Sequence, residues 1–164
     1  NMQIKDNQSM VFDGIIATTP TWKDIEFIRK NTKLPLILKG ITHPSYAKKA
    51  IEIGIDGIVV SNHGGRVLDT LVTTMDILPK IVEVVDNKIP ILLDGGITRG
   101  TDILKALALG ASAVMIGKPI MYGLATAGAL GVAHSLKILK DELEIAMALT
   151  GCKTLRDINK DILF

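Results

Sequence analysis

Residues 90–110, PILLDGGITRGTDILKALALG, open on an apolar run, turn polar at Asp94, pass two glycines and continue as a helical pattern. A short apolar run bounded by proline and glycine has the signature of a buried parallel strand, although periodicity alone leaves a buried helical turn open. The same arrangement stands upstream, where PLILKG at 35–40 precedes a helical pattern at about 43–53. At an offset of 56 residues, ITHPSYAKKAIEIG (41–54) lies over ITRGTDILKALALG (97–110) with identities at Ile, Thr, Lys, Ala and Gly. The apolar runs before them superpose within one residue, so the chain reads as two copies of a strand–helix–strand unit.

Two further apolar runs, GIVVS at 57–61 and AVMIG at 113–117, complete a set of four. Helical patterns fall at 72–86, with Pro79 as a kink or restart, at 101–109, at about 121–150, and briefly from Thr154. An earlier helix begins at Thr21, which can cap, with Asp24 three residues on and Trp22, Ile25, Phe27 and Ile28 as its apolar face. Residues 1–18 are expected to be a tail or mobile loop ahead of one domain over 19–164. Parallel strands each followed by a helix suggest a doubly wound sheet or a (β/α)8 barrel.

The polar residues decide between them. They fall at the C-terminal end of every run: Lys39 after LIL, Ser61-Asn62-His63 after IVV, Asp94-Gly95-Gly96 after ILL, and Gly117-Lys118 after VMI. In a barrel these ends stand around one rim, where barrel enzymes place their chemistry. The doubly wound alternative calls for a GxGxxG fingerprint after its first strand, and the sequence has none. The expected α/β fold is therefore the C-terminal half of a (β/α)8 barrel, four parallel strands with their helices plus C-terminal helices, since a whole barrel takes about 250 residues.

Composition narrows the function. A chain of 164 residues with 48% hydrophobic and 22% charged residues suits one globular unit. The net charge of +2 comes from scattered Lys and Arg, so no nucleic-acid partner is expected. Lys118 interrupts the most apolar region before it reaches the roughly 18 residues of a membrane span. The lone Cys152 cannot form an intrachain disulfide and reads as structural. With a C-terminal ILF that differs from a peroxisomal signal, the expected compartment is the cytoplasm. An Asn-Met opening is not a natural start, so a longer gene product is expected.

At the rim, glycines 95, 96, 100 and 117 let backbone amides approach a ligand, and Thr98, Arg99 and Lys118 add donors and charge. The loops after the last two strands of a barrel commonly hold a phosphate, so these residues are candidate phosphate ligands. Asp94 would face phosphate or ribityl hydroxyls, or else cap the following helix. His63 and Arg66, three residues apart across Gly64-Gly65, can project into one pocket as a proton acceptor and a two-pronged carboxylate binder. Lys39 ends an apolar run and calls for an anionic partner. His43, His134, Tyr46, Tyr122 and Trp22 read as packing or solvent-facing groups. No metal set is assigned.

LILKG, IVVSNHGGRVLD, PILLDGGITRGTDILKALALGA, MIGKP and DELEIAMALTGC, in this order and spacing, resemble the C-terminal half of the FMN-dependent α-hydroxy acid oxidases and dehydrogenases. That family includes glycolate oxidase, lactate oxidase, mandelate dehydrogenase and flavocytochrome b2, and the resemblance covers about residues 19–158. It implies that Lys39 matches the lysine near the flavin N1 and C2 carbonyl, that Ser61 hydrogen-bonds the flavin, that His63 is the catalytic base and that Arg66 binds the substrate carboxylate. It further implies that Asp94, Gly95 and Gly96 run along the ribityl chain and phosphate and that Gly117 lies at the phosphate. The implied reaction is oxidation of a small L-2-hydroxy acid, lactate- or glycolate-like, to the 2-oxo acid, with FMN as cofactor and oxygen or another carrier as electron acceptor.

The sequence also departs from the family. The usual DGGxRRG has Thr98 at its first arginine while Arg99 keeps the second, and IGKP replaces IGRP, so Lys118 meets phosphate as a point charge instead of a planar fork. Both changes imply weaker FMN retention. By the same resemblance, the first four strands, a tyrosine pair around the substrate, further flavin-binding groups and the aspartate that orients the histidine belong to an N-terminal half-barrel that this chain lacks. That half, or a homo-oligomer, is an expected partner. The alternatives are a catalytically silent half-barrel that binds phosphate or FMN weakly or pairs with another copy, and a different phosphate barrel such as an isopentenyl diphosphate isomerase, against which the His-Gly-Gly-Arg placement argues. Asn62 has no role in this reading.

Overall fold

The computed structural model describes residues 7–163, and it divides the chain into two compact units at Leu34. Of the stretch expected as a tail, residues 1–6 lie outside the described residues. Met10–Ile15 form a π-helical turn and Ile16–Thr18 a 3-10 turn. A reciprocal cap holds the first turn: the Ser9 hydroxyl accepts from Phe12 N–H at 3.1 Å and the Asp13 carboxylate accepts from Ser9 N–H at 2.7 Å. Helix α1 (Trp22–Asn31) begins where Thr21 predicts. The Asp24 carboxylate accepts from the Thr21 N–H at 2.6 Å and from its hydroxyl at 2.7 Å. Its expected apolar face is only partly covered, for Phe27 and Ile28 stay exposed.

The second unit carries the repeat. Strands β1 (Ile37–Ile41), β2 (Gly57–Val60), β3 (Ile91–Leu93) and β4 (Ala113–Val114) form one parallel sheet in the order β1-β2-β3-β4. Helices α2 (Pro44–Ile53), α3 (Thr74–Val85) and α4 (Gly100–Ala108) connect them. Strands that neighbour each other in chain order are what a barrel requires, whereas a doubly wound sheet reverses its order at a switch point. Every residue of β2 is buried, as expected of a strand covered on both faces. Ile58 and Val60 pack in a core with Leu78, Ile81 and Val85 of α3, Ala47 and Ala50 of α2, and Leu93. The repeat extends to backbone geometry, since Gly54 after α2 and Gly110 after α4 both take a positive φ, 85° and 105°.

Of the two expectations at Pro79, a kink or a restart, the restart does not occur: helix α3 runs through Pro79, with Leu78 and Ile81 on either side fully buried, and their packing holds the helix together despite the missing N–H. The long pattern expected over 121–150 starts earlier and turns back on itself. Helix α5 (Lys118–Leu149) is broken at Ala127 and at Gly128, whose φ of 56° and ψ of −139° only glycine adopts readily. In a continuous helix Gly123 and Gly131 would stand about 12 Å apart. Here a Cβ on Gly123 would lie 2.5 Å from Gly131 O, so the two arms meet backbone to backbone through glycine. The second arm buries Ala146 with Leu104, Ala108, Cys152 and Ile158, which gives the free cysteine its structural place.

Candidate functional site

Three strand ends converge. Lys39 at β1 and Asp94 after β3 occupy equivalent positions in the repeat, and the Lys39 ammonium lies 2.8 Å from Asp94 Oδ2. Between them, at the end of β2, the buried Ser61 hydroxyl accepts from Lys39 Nζ at 2.9 Å and from His63 N–H at 3.2 Å. The parallel register places these side chains together, since Lys39 pairs with Val59 and Val60 with Leu93. Lys39 keeps 41% of its side chain exposed against 16% for Asp94, so the cation remains presented at the rim while the carboxylate is largely covered. Asp94 thus pairs with Lys39 and takes no part in capping α4.

The loop after β2 is a 3-10 turn over His63–Gly65, in which Asn62 Oδ1 accepts from Gly64 N–H at 3.1 Å. Asn62 Nδ2 donates to Val72 O at 3.4 Å. His63 takes a φ of 55°, and a Cβ built on Gly40 would lie 2.9 Å from its Nε2, so the imidazole sits over the end of β1. Arg66 is exposed, and its Nε donates to His63 O at 3.4 Å. A Cβ on Gly64 would lie 4.0 Å from both Arg66 Nε and Lys118 Cε, so the loops after β2 and β4 approach each other here.

The loop after β3 is organised by carboxylates. Asp102 Oδ2 accepts from Thr98 N–H at 3.0 Å, Thr98 hydroxyl at 3.2 Å and Arg99 N–H at 2.9 Å. Glu142, on the second arm of α5, accepts from Gly100 N–H at 2.8 Å and from Arg99 Nη1 at 2.9 Å. The Gly100 N–H, and next the Arg99 guanidinium, hold the Glu142 carboxyl below the usual glutamate range. A Cβ on Gly100 would overlap Leu143 N and Glu142 C, so α4 and α5 touch through backbone at this point. The N–H groups of Thr98, Arg99 and Gly100, the Thr98 hydroxyl and the Arg99 guanidinium therefore all have carboxylate partners within the protein.

The N-terminus of α5 is different. Gly117 is its N-cap with no side-chain cap, a Cβ there would meet nothing within 4 Å, and the same holds for Gly96. An uncapped helix start beside the exposed Lys118 suits a phosphate. Lys39, Arg66 and Lys118 set against Asp94 leave the rim positive, which suits a dianionic phosphate and a carboxylate together. These donors and this clearance fit FMN. The structure thus groups Lys39, Ser61 and Asp94 tightly, sets His63, Arg66, Gly64 and Lys118 on the adjoining loops, and directs Thr98 and Arg99 toward Asp102 and Glu142. A crevice of about 660 Å³ between the arms of α5, lined among others by Tyr122, Leu130 and His134, contains none of the candidate residues.

Glu142, Asp102, Gly40 and the contacts of Asn62 have no part in the sequence-based expectations. Asp102 was within reach, as an acidic residue three after an N-cap is a capping signal. Glu142 acts from 43 residues beyond Arg99 and leaves no local trace.

The chain belongs to the FMN-dependent dehydrogenase family, whose model matches residues 1–164. It is 55% identical over 153 residues to the peroxisomal (S)-2-hydroxyacid oxidase of Arabidopsis thaliana, covering 93% of this chain and 41% of that protein. It is 46% identical over 160 residues to the L-lactate oxidase of a Roseobacter species, covering 98% of this chain and 43% of that one. Among solved structures, mandelate oxidase superposes with a TM-score of 0.83 and 46% identity, over 86% of this chain and 41% of that chain. The chain thus spans about two fifths of the length of these relatives, and its open four-stranded sheet corresponds to part of their (β/α)8 barrel. The cofactor that the family names is FMN.

Proposed function

We propose that this chain forms the base-bearing and flavin-facing part of an enzyme that oxidises a small L-2-hydroxy acid, lactate- or glycolate-like, to the 2-oxo acid. The observation that carries the proposal is the convergence of Lys39, Ser61 and Asp94 at three strand ends, with His63 and Arg66 on the loop beside them. FMN, when bound, supplies the two-electron acceptor. Lys39 and Ser61 are assigned to the flavin, Asp94, Gly95 and Gly96 to the ribityl chain, and Gly117 and Lys118 to the phosphate. Thr98 and Arg99 serve by shaping the loop through Asp102 and Glu142. Arg66 holds the substrate carboxylate, and a two-pronged guanidinium contact fixes the acid's orientation. His63 Nε2 accepts the proton that the hydroxy acid gives up.

Oxygen is the proposed electron acceptor because the relatives above carry the name oxidase. The free edges of β1 and β4, beside the exposed Ile37 and Met115, are proposed to be covered by the remaining strands of the barrel. Pairing with a second copy is the alternative, favoured by the same open edges, and a sedimentation measurement showing a stable monomer of this chain counts against it. The proposed compartment is the cytoplasm, resting on the free, buried Cys152. The test of the reaction is anaerobic mixing of the full-length, FMN-loaded protein with L-lactate and with glycolate. The expected result is bleaching of the oxidised flavin absorbance; a flavin that no short L-2-hydroxy acid bleaches overturns the proposal.

A further inference from the structure

His63 stands in an unusual setting for a side chain that must present one nitrogen to a ligand. Its φ of 55° belongs to the left-handed region that residues with a Cβ seldom adopt. Among the described residues neither ring nitrogen makes a hydrogen bond, so the imidazole's direction is set by its backbone and by what it packs against. Both are controlled from neighbouring residues. Ser61 Oγ accepts the His63 N–H at 3.2 Å, and Asn62 Oδ1 accepts the next amide, that of Gly64, at 3.1 Å. Asn62 Nδ2 then reaches Val72 O at 3.4 Å, which ties this turn to the chain ten residues further on. The Asn62 amide is itself seated, for a Cβ on Gly95 would stand only 3.1 Å from its Oδ1.

The ring has a seat of its own. Gly40 ends the run that carries Lys39, takes a φ of 96°, and lies so close that a Cβ would come within 2.9 Å of His63 Nε2. Real Cβ atoms do not tolerate that distance, so any side chain at position 40 would displace the ring nitrogen that faces it. Position 40 falls in a segment, LILKG, whose polar residue already faces the same rim.

We propose that Gly40 and Asn62 are positioning residues for the His63 imidazole, Asn62 holding its backbone in the left-handed turn and Gly40 leaving the space in which Nε2 sits. The consequence for turnover rests on the reading of His63 as the base; the consequence for the position of the ring does not.

The test uses the full-length, FMN-loaded protein and its Gly40→Ala, Asn62→Ala and Asn62→Asp variants. Crystal structures of the three report the His63 φ and the place of Nε2, and anaerobic stopped-flow reduction reports the rate at saturating L-lactate separately from substrate affinity. Displacement of a reacting group by about 1 Å costs on the order of 10²-fold in rate. Gly40→Ala and Asn62→Ala are expected to slow flavin reduction by that order, with substrate affinity changed by less than about threefold. Asn62→Asp, which keeps the acceptor for Gly64 N–H and loses the donor to Val72, is expected to recover part of the rate. A purely structural role would lower stability without this split between rate and affinity. Should Gly40→Ala fail to fold, the pair of Asn62 variants decides. An unmoved His63 with an undiminished reduction rate in the variants overturns the proposal. If the unaltered protein is reduced by no 2-hydroxy acid, the reading of His63 as a base fails, and the His63 position in the variant structures still decides whether Gly40 and Asn62 place it.

Discussion

The loop after β2, SNHGGR, and the loop after β3, DGGITRG, are built from the same ingredients: a strand end, two adjacent glycines and an arginine. The structure gives their arginines opposite settings. Among the described residues Arg66 hydrogen-bonds only within its own loop, from Nε to His63 O at 3.4 Å, and its exposed terminal nitrogens make no protein hydrogen bond. Arg99 reaches to α5 and donates to Glu142 at 2.9 Å, beside a second bond from Gly100 N–H to the same carboxylate. The same ingredients thus give Arg99 a carboxylate partner within the fold and leave Arg66 without one among the described residues.

The contrast can be broken by substitution, and the largest effect belongs to Arg66. A hydrogen bond to a charged group contributes about 1.5–3 kcal/mol, so Arg66→Ala, which removes both bonds of the proposed two-pronged carboxylate contact, should lower kcat/KM for a 2-hydroxy acid by roughly 10²- to 10⁴-fold. Thermal melting should stay close to that of the unaltered protein. Gly100→Ala should show the reverse profile. A Cβ there overlaps backbone of α5, and forced overpacking costs about 1–3 kcal/mol, visible as a fall of several degrees in Tm. Arg99→Ala should follow the same direction more weakly. The arginine is 71% exposed, and exposed ion pairs contribute no more than about 1 kcal/mol.

The smallest effect is on pH dependence. The Glu142 carboxyl is held below its usual range in the folded protein by the Gly100 N–H and by Arg99. Its contribution to stability is therefore complete above the unfolded carboxyl's ordinary value, about 4.3, and is lost as pH falls through the lower folded value. Unfolding of Glu142→Gln against the unaltered protein should show a gap in stability at neutral pH that narrows below about pH 4. A gap that is constant with pH would show that the carboxylate charge is immaterial to the clasp.

The sequence made the sheet legible because its information is local. Each strand is an apolar run ended by a glycine or a polar residue, and each helix has its own periodicity, so order and polarity of the rim could be read before any contact was known. Lys39 and Asp94 were readable individually, and their ion pair follows from the repeat that places them at equivalent strand ends. The reversal inside α5 was illegible for the opposite reason. Gly128 breaks the helix because Gly123 and Gly131 let two backbones meet, which is a property of the folded hairpin and not of any window of sequence. The contact of Arg99 with Glu142 was illegible in the same way, since its partner stands 43 residues further along the chain. Asn62 carries no signal in the sequence, because its contacts with Gly64 N–H and Val72 O exist only once the turn at His63 has formed.

The most direct test of the contrast is the substrate-concentration dependence of anaerobic flavin reduction in full-length, FMN-loaded Arg66→Ala and Arg99→Ala, each compared with the unaltered protein. The predicted result is a greatly weakened apparent affinity for L-lactate in Arg66→Ala and a far smaller change in Arg99→Ala, whose principal defect is in thermal stability. Equal losses of affinity in the two variants, or a greater loss in Arg99→Ala, would contradict the division of labour between the two loops.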